Sequence, residues 1–120
     1  MDIVRTIHLD MVEHPADIVP SRAGYSIGKW EGNTLVIDTV DFLPGWLEAT
    51  CAGVRHGANM HTIERHTLSE DGQSLALSYT INDPDYLAEP STREAIVVRT
   101  PAAYDLYHCE NLTEEITEGF

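Results

Sequence analysis

Three histidines, His56, His61 and His66, fall within one short segment, and one carboxylate, Asp38, stands among Val36, Ile37, Thr39 and Val40. Imidazole exchanges protons near neutral pH and is a common metal ligand. A carboxylate placed in an apolar strand must be paired, hydrogen-bonded or protonated, because burying a lone charge is costly. Such surroundings favour the neutral acid and suit a general acid or base. His56, His61 and Asp38 are therefore the first candidates for acid–base chemistry, with Glu64 as a fourth. Alternation along a strand places His61, Ile63 and Arg65 on one side and Thr62, Glu64 and His66 on the other, so His61 and Glu64 need a bulge or two separate pockets. Simpler readings stand beside these. Glu64 pairs with a nearby base, His66 faces solvent, and Asp38 accepts a hydrogen bond from a turn or ends a strand.

Aromatic and cationic residues supply candidate walls for a ligand. Trp30, Trp46, Tyr79 and Arg65 are expected to line an apolar pocket, with Arg65 available to an acidic substrate group or to local acids. Core packing is the alternative for Trp30 and Tyr79, and a lid or dimer contact for Trp46. His56 and His61 with one carboxylate would also suffice for a divalent metal, although the spacing has no His-Glu-x-x-His character. Asp83 before Pro84 reads as a turn cap. Asp38-Thr39 is followed by Val40 where an aspartic protease needs glycine. No serine elbow, phosphate-cradling loop or dinucleotide fingerprint is present, which leaves serine hydrolysis, nucleotide hydrolysis and NAD-linked hydride transfer without support. The expected chemistry needs no organic cofactor.

These residues must be positioned by strands. Tyr25–Trp30 and Thr34–Val40, joined at Glu31-Gly32-Asn33, predict a β-hairpin. Met60–Leu68 and Ser74–Asn82, joined at Glu70-Asp71-Gly72-Gln73, predict another, with Leu75, Leu77, Tyr79 and Ile81 sharing one face. Arg93–Thr100 and Tyr104–Glu110 read as the fifth and sixth strands. The expected fold is all-β: an antiparallel six-stranded meander closing into a small barrel or strongly curled sheet, with a long loop over 41–59. Residues 1–24, broken by Pro15 and Pro20, read as irregular, 25–112 as the barrel-like domain, and 113–120 as an acidic tail. The apolar runs Leu35–Val40 and Ile96–Val98 fit strands covered on both faces, by the loop and by a second subunit.

The charge balance limits the partners. Twenty acids against seven bases give a net charge of −13 over 120 residues, and Lys29 is the only lysine. Nucleic acid and anionic membrane surfaces are repelled by such a chain. No stretch reaches the length of about 18 apolar residues required of a membrane-spanning helix. Met1-Asp2-Ile3-Val4-Arg5 has neither the basic start nor the apolar run of a signal peptide. Cys51 and Cys109 form no Cys-x-x-Cys pair, so a thiolate zinc cluster is not expected, and a single disulfide depends on their proximity and compartment.

Residues 24–39, GYSIGKWEGNTLVIDT, resemble the block G-x-S-I-G-x-W-E-G-x-T-L-V-V-D-T of a group of uncharacterised bacterial proteins, common in acidobacteria and proteobacteria. Gly45-Trp46-Leu47 is similar to that group's T-W-L-D turn, His56 and His61 with Glu64-Arg65 to its H-x(4)-H-x-x-E-R segment, Ile81-Asn82-Asp83-Pro84 to its I-x-D-P, and Cys109-Glu110-Asn111 to its C-x-E-N ending. The resemblance spans residues 5–112 and brings no assigned reaction. It implies exported relatives. Longer members begin with further strands and a cysteine able to pair near the end, which implies here a free Cys109 and a sheet completed by a partner, a homodimer being the simplest. The expected function is a small cofactor-independent lyase, isomerase or hydrolase acting on a small organic molecule. The alternative is a non-catalytic binding or assembly module, and the third reading a metal-dependent enzyme using the histidines.

Overall fold

The computed structural model describes residues 4–46 and 55–101. The described residues are all-β, with strands β1 (Ile7–His8), β2 (Tyr25–Glu31), β3 (Thr34–Val40), β4 (Gly45–Trp46), β5 (Arg55–His56), β6 (His61–Leu68), β7 (Ser74–Asn82) and β8 (Ser91–Val98). No helix long and apolar enough to cross a membrane occurs among them.

Six strands form one sheet in the order β1-β2-β3-β6-β7-β8, while β4 and β5 form a separate two-stranded ribbon. The run β2-β3-β6-β7-β8 is the expected antiparallel meander. Two expectations are corrected. Among the described residues the sheet is open, so a barrel is not supported, since β1 and β8 are its two ends and do not pair with each other. It is also mixed, because β1 runs parallel to β2 with Ile7 opposite Ser26 and His8 opposite Ile27. A two-residue strand carries no readable period, so it escapes notice in a segment broken by prolines. The expected strand Tyr104–Glu110, the tail 113–120, Cys51 and Cys109 lie outside the described residues. Within 41–59, the ribbon pairs Gly45 with His56 and Trp46 with Arg55.

The hairpin turns follow from local chemistry. Gly32 occupies the first of two loop positions between β2 and β3 at φ 61°, a left-handed conformation that glycine adopts without steric cost. In the β6–β7 turn, Asp71 Oδ1 accepts hydrogen bonds from Ser69 Oγ at 2.6 Å and from the Gln73 amide at 3.0 Å. Those bonds hold its carboxyl below the ordinary aspartate range.

The register assigns side chains to faces. Ile27, Asp38 and Ile63 lie in one row across β2, β3 and β6, and Gly28, Ile37, Glu64 and Tyr79 lie in the next row, on the opposite face. Ser26, Thr39 and Thr62 form a further row on the Glu64 face, all three buried, with Ser26 Oγ and Thr39 Oγ1 2.8 Å apart. The apolar core, Phe42, Met60 and Ile81 with Tyr79 and Leu87 against it, packs on that face. Asp83 is buried as the expected cap. Its carboxylate accepts from the Gly57 amide at 2.9 Å and the Asp85 amide at 3.1 Å, tying the segment after β5 to the end of β7.

The covering of β3 and β8 differs. Val36 and Ile37 are buried. Ile96, Val97 and Val98 are 73%, 50% and 67% exposed, so within this single chain that run is not covered on both faces. A β-branched run favours extended backbone whether or not anything covers it.

Candidate functional site

The site is assembled on the face that carries Asp38. One oxygen of this carboxylate, Oδ1, accepts from two imidazoles, Nε2 of His61 at 2.7 Å and Nε2 of His14 at 2.8 Å. β3 supplies Asp38 and β6 supplies His61, which reaches diagonally because Asp38 sits directly opposite Ile63. His14 arrives from the segment between β1 and β2. That segment is fixed at its start by the β1–β2 ladder. It is fixed at its end by Ser21, whose amide donates to Asp41 O at 3.0 Å and whose carbonyl accepts from the Leu43 amide at 2.8 Å. Between these points the Tyr25 hydroxyl reaches Met11 Sδ at 2.8 Å, and the His8 ring stacks on Tyr25 at 4.5 Å.

The hydrogen-bond pattern constrains the protons. For either bond to Asp38 to form, the imidazole Nε2 must carry the hydrogen. His14 Nδ1 is buried and without a hydrogen-bond partner, so a second proton there would be an unsatisfied buried donor. His14 accordingly makes its hydrogen bond through Nε2 alone. His61 is different. Its side chain is 37% exposed, and the same tautomer leaves Nδ1 as the basic nitrogen.

Beside this cluster lies a cavity of about 530 Å³, to which Asp38 contributes. Leu9, Met11 and Val12 form one wall, and Ile27, Val36 and Ile63 of the sheet the other. At the far end Lys29 and Arg65 flank Val36 in register. Both converge on Glu31, with Lys29 Nζ at 3.5 Å and Arg65 Nη1 at 3.0 Å. The Arg65 hydrogen bond, followed by that of Lys29, lowers the Glu31 carboxyl below its ordinary range.

Glu64 belongs to the opposite face, as alternation requires. Arg5 grips it with two hydrogen bonds, Nη1 to Oε2 at 2.6 Å and Nη2 to Oε1 at 2.7 Å, and His66 Nε2 adds a longer contact at 3.3 Å. Burial pushes this carboxyl upward, but the Arg5 bonds and charge, with those of His66, outweigh it and leave it below the ordinary glutamate range. The same bonds raise Arg5. Tyr79 is raised first by burial and then by the Glu64 charge. Gly28 leaves room for the first strand, since a Cβ there would come within 2.8 Å of Ile7 Cγ2 and 2.9 Å of Leu9 Cδ2.

Of the residues singled out by sequence, Asp38 and His61 meet directly, and Asp38 and Arg65, but not His61, line the cavity. His56 stands on the separate ribbon, with its ring edge-on to Phe42 and Nδ1 3.4 Å from Gly57 O. Trp30 is 64% exposed on the face opposite Asp38, which removes it both from the core and from this cavity. Tyr79 shares the Glu64 face. For Trp46 the structure describes the backbone alone, paired with Arg55 in the β4–β5 ribbon. Among the described residues, no group of three or more His, Cys, Asp and Glu side chains is arranged to hold a metal ion. Sequence reasoning missed His14 and Arg5. The available signal was indirect: a carboxylate in an apolar strand demands a partner, but nothing local names which one.

Comparison of the chain with protein-family models, curated proteins and solved structures finds no match.

Proposed function

We propose that the protein binds a small, largely apolar molecule in the cavity beside Asp38 and moves a proton on it without an organic cofactor. The observation that carries this reading is the single Asp38 oxygen held by two imidazole N–H groups at 2.7 and 2.8 Å at the edge of a half-apolar cavity. In the reaction the substrate extends from the cavity past Asp38 to His61, which stands outside the cavity lining, and His61 Nδ1 takes the proton from substrate carbon. Asp38 retains the Nε2–H bond and stabilises the imidazolium that forms, and the proton is returned from Nδ1 to substrate or exchanged with water. His14 acts as a positioning residue, since its bond fixes the carboxylate without exposing an exchangeable site.

The test uses phenylacetone, which combines an apolar ring with acidic C–H bonds, in deuterated buffer near neutral pH. Exchange of its α-protons, followed by NMR, should exceed that caused by equimolar free imidazole. It should fall by about 10²-fold in His61→Ala and in Asp38→Asn, the scale of a lost general base. A rate equal to free imidazole, or full activity in both variants, refutes the reading.

The exposure of Ile96, Val97 and Val98 on β8, an end strand among the described residues, favours a second reading, an assembly module in which two copies pair along β8. Native mass spectrometry distinguishes it. A dimer disrupted by Ile96→Glu, without proton exchange on phenylacetone, supports assembly, whereas an active monomer rejects it.

A further inference from the structure

We infer that the occupant of the Asp38 cavity is an apolar molecule bearing a hydrogen-bond donor, a hydroxyl or an ammonium, which it presents to the second oxygen of Asp38; this rests on the reading of that cavity as a binding site. The carboxylate is used unevenly. Both imidazoles bond to Oδ1, and among the described residues no hydrogen bond reaches Oδ2. A carboxylate has about four lone-pair sites, so half of its accepting capacity remains open where Asp38 lines the cavity. The neighbouring walls cannot fill that need, because Ile27 and Ile63 flank Asp38 on both sides.

The charges select the sign of the ligand. Asp10, Glu31 and Asp38 line the cavity against Lys29 and Arg65, and those two cations already converge on Glu31. The chain as a whole carries −13. A ligand carboxylate would face Asp38 as a like charge, whereas a donor would gain a charge-assisted hydrogen bond. The apolar residues Leu9, Met11, Val12, Val36 and Ile63 then cover the rest of the molecule.

Four probes of nearly equal shape test this: 2-phenylethanol, its methyl ether, 2-phenylethylamine and phenylacetate, titrated while amide and methyl NMR signals of Ile27 and Ile63 are followed. The alcohol and the amine should bind at least about tenfold more tightly than the ether, as expected for a hydrogen bond to a charged acceptor, and phenylacetate should bind least. The amine's advantage should survive about 1 M salt, where the screening length is about 3 Å, because it comes from contact. In Asp38→Asn, with its oxygen kept towards the imidazoles, an NH2 group replaces Oδ2. The alcohol should then lose its advantage over the ether and the amine should bind no better than either. Equal binding of alcohol and ether by the natural protein, tightest binding of phenylacetate, or an amine advantage that vanishes in salt overturns the inference. The pocket reading survives those results, because the ether reports the apolar walls alone. Failure of all four probes to bind overturns both.

Discussion

Asp38 and Glu64 occupy neighbouring strands one register step apart, yet their faces make opposite uses of a carboxylate. Glu64 is 10% exposed at its side chain and is gripped by both arms of Arg5. A guanidinium never gives up its proton in this setting, so that pair is chemically closed. Asp38 is 36% exposed and is held by two imidazoles through a single oxygen. Each of those partners donates from one ring nitrogen and keeps a second, and one carboxylate oxygen is left over. The same segment before β2 provides the partner in both cases, Arg5 on one face and His14 on the other. Arginine therefore makes a fastening, and histidine makes a candidate site.

The largest effect should come from breaking the fastening. Arg5→Met leaves Glu64 buried without its strongest partner and should destabilise the fold by about 2–3 kcal/mol, somewhat below the cost of breaking a fully buried pair because Arg5 is 31% exposed. Urea denaturation followed by circular dichroism checks this. The acid limb sharpens the point. The folded Glu64 carboxyl lies below its unfolded value of 4.5. Its stabilising contribution is therefore present above pH 4.5 and is lost as pH falls through the lower folded value. Unfolding curves should show this loss in the natural protein and a shallower acid limb in Glu64→Gln. A cost for Arg5→Met below about 0.5 kcal/mol, within the range of ordinary surface changes, would erase the distinction between the faces.

A smaller change in stability is expected on the other face. Asp38→Asn keeps an oxygen for the two imidazoles and removes a half-exposed charge, so it should cost about 1 kcal/mol or less in the same denaturation experiment. A loss as large as that of Arg5→Met would mean that Asp38 is a fastening too.

Much of this contrast was legible in the sequence. Alternation alone separated His61 from Glu64, and the apolar neighbours of Asp38 marked it as a carboxylate in need of a partner. Gly32 and the Asp71-Gly72 pair placed two hairpins. The contact between Asp38 and His61 was not readable, because it depends on Asp38 standing opposite Ile63, and strand pattern does not define register between strands. Barrel closure was inferred from the cost of open edges, but whether two edges meet depends on twist and stagger, which the pattern leaves undetermined. Arg5 and His14 carry no local signal, since each is a single residue in a non-periodic segment. The exposed run Ile96–Val98 has the composition of a covered strand, and composition reports preference for extended backbone more faithfully than burial.

The smallest stability effect gives the narrowest test, because each face carries a histidine on its carboxylate. His66 touches Glu64 at 3.3 Å, beside an arginine that already supplies two bonds of 2.6 and 2.7 Å. His66→Ala should therefore cost only about 0.5 kcal/mol. His61→Ala removes a bond from an oxygen that keeps His14, and its cost should be similarly slight. If the faces differ as argued, the two variants will be nearly indistinguishable by denaturation and will separate sharply in phenylacetone exchange, where only His61→Ala is slow. Should His66→Ala slow exchange equally, proton transfer would have to run through the Glu64 face, and the division of labour between the two carboxylates would be reversed.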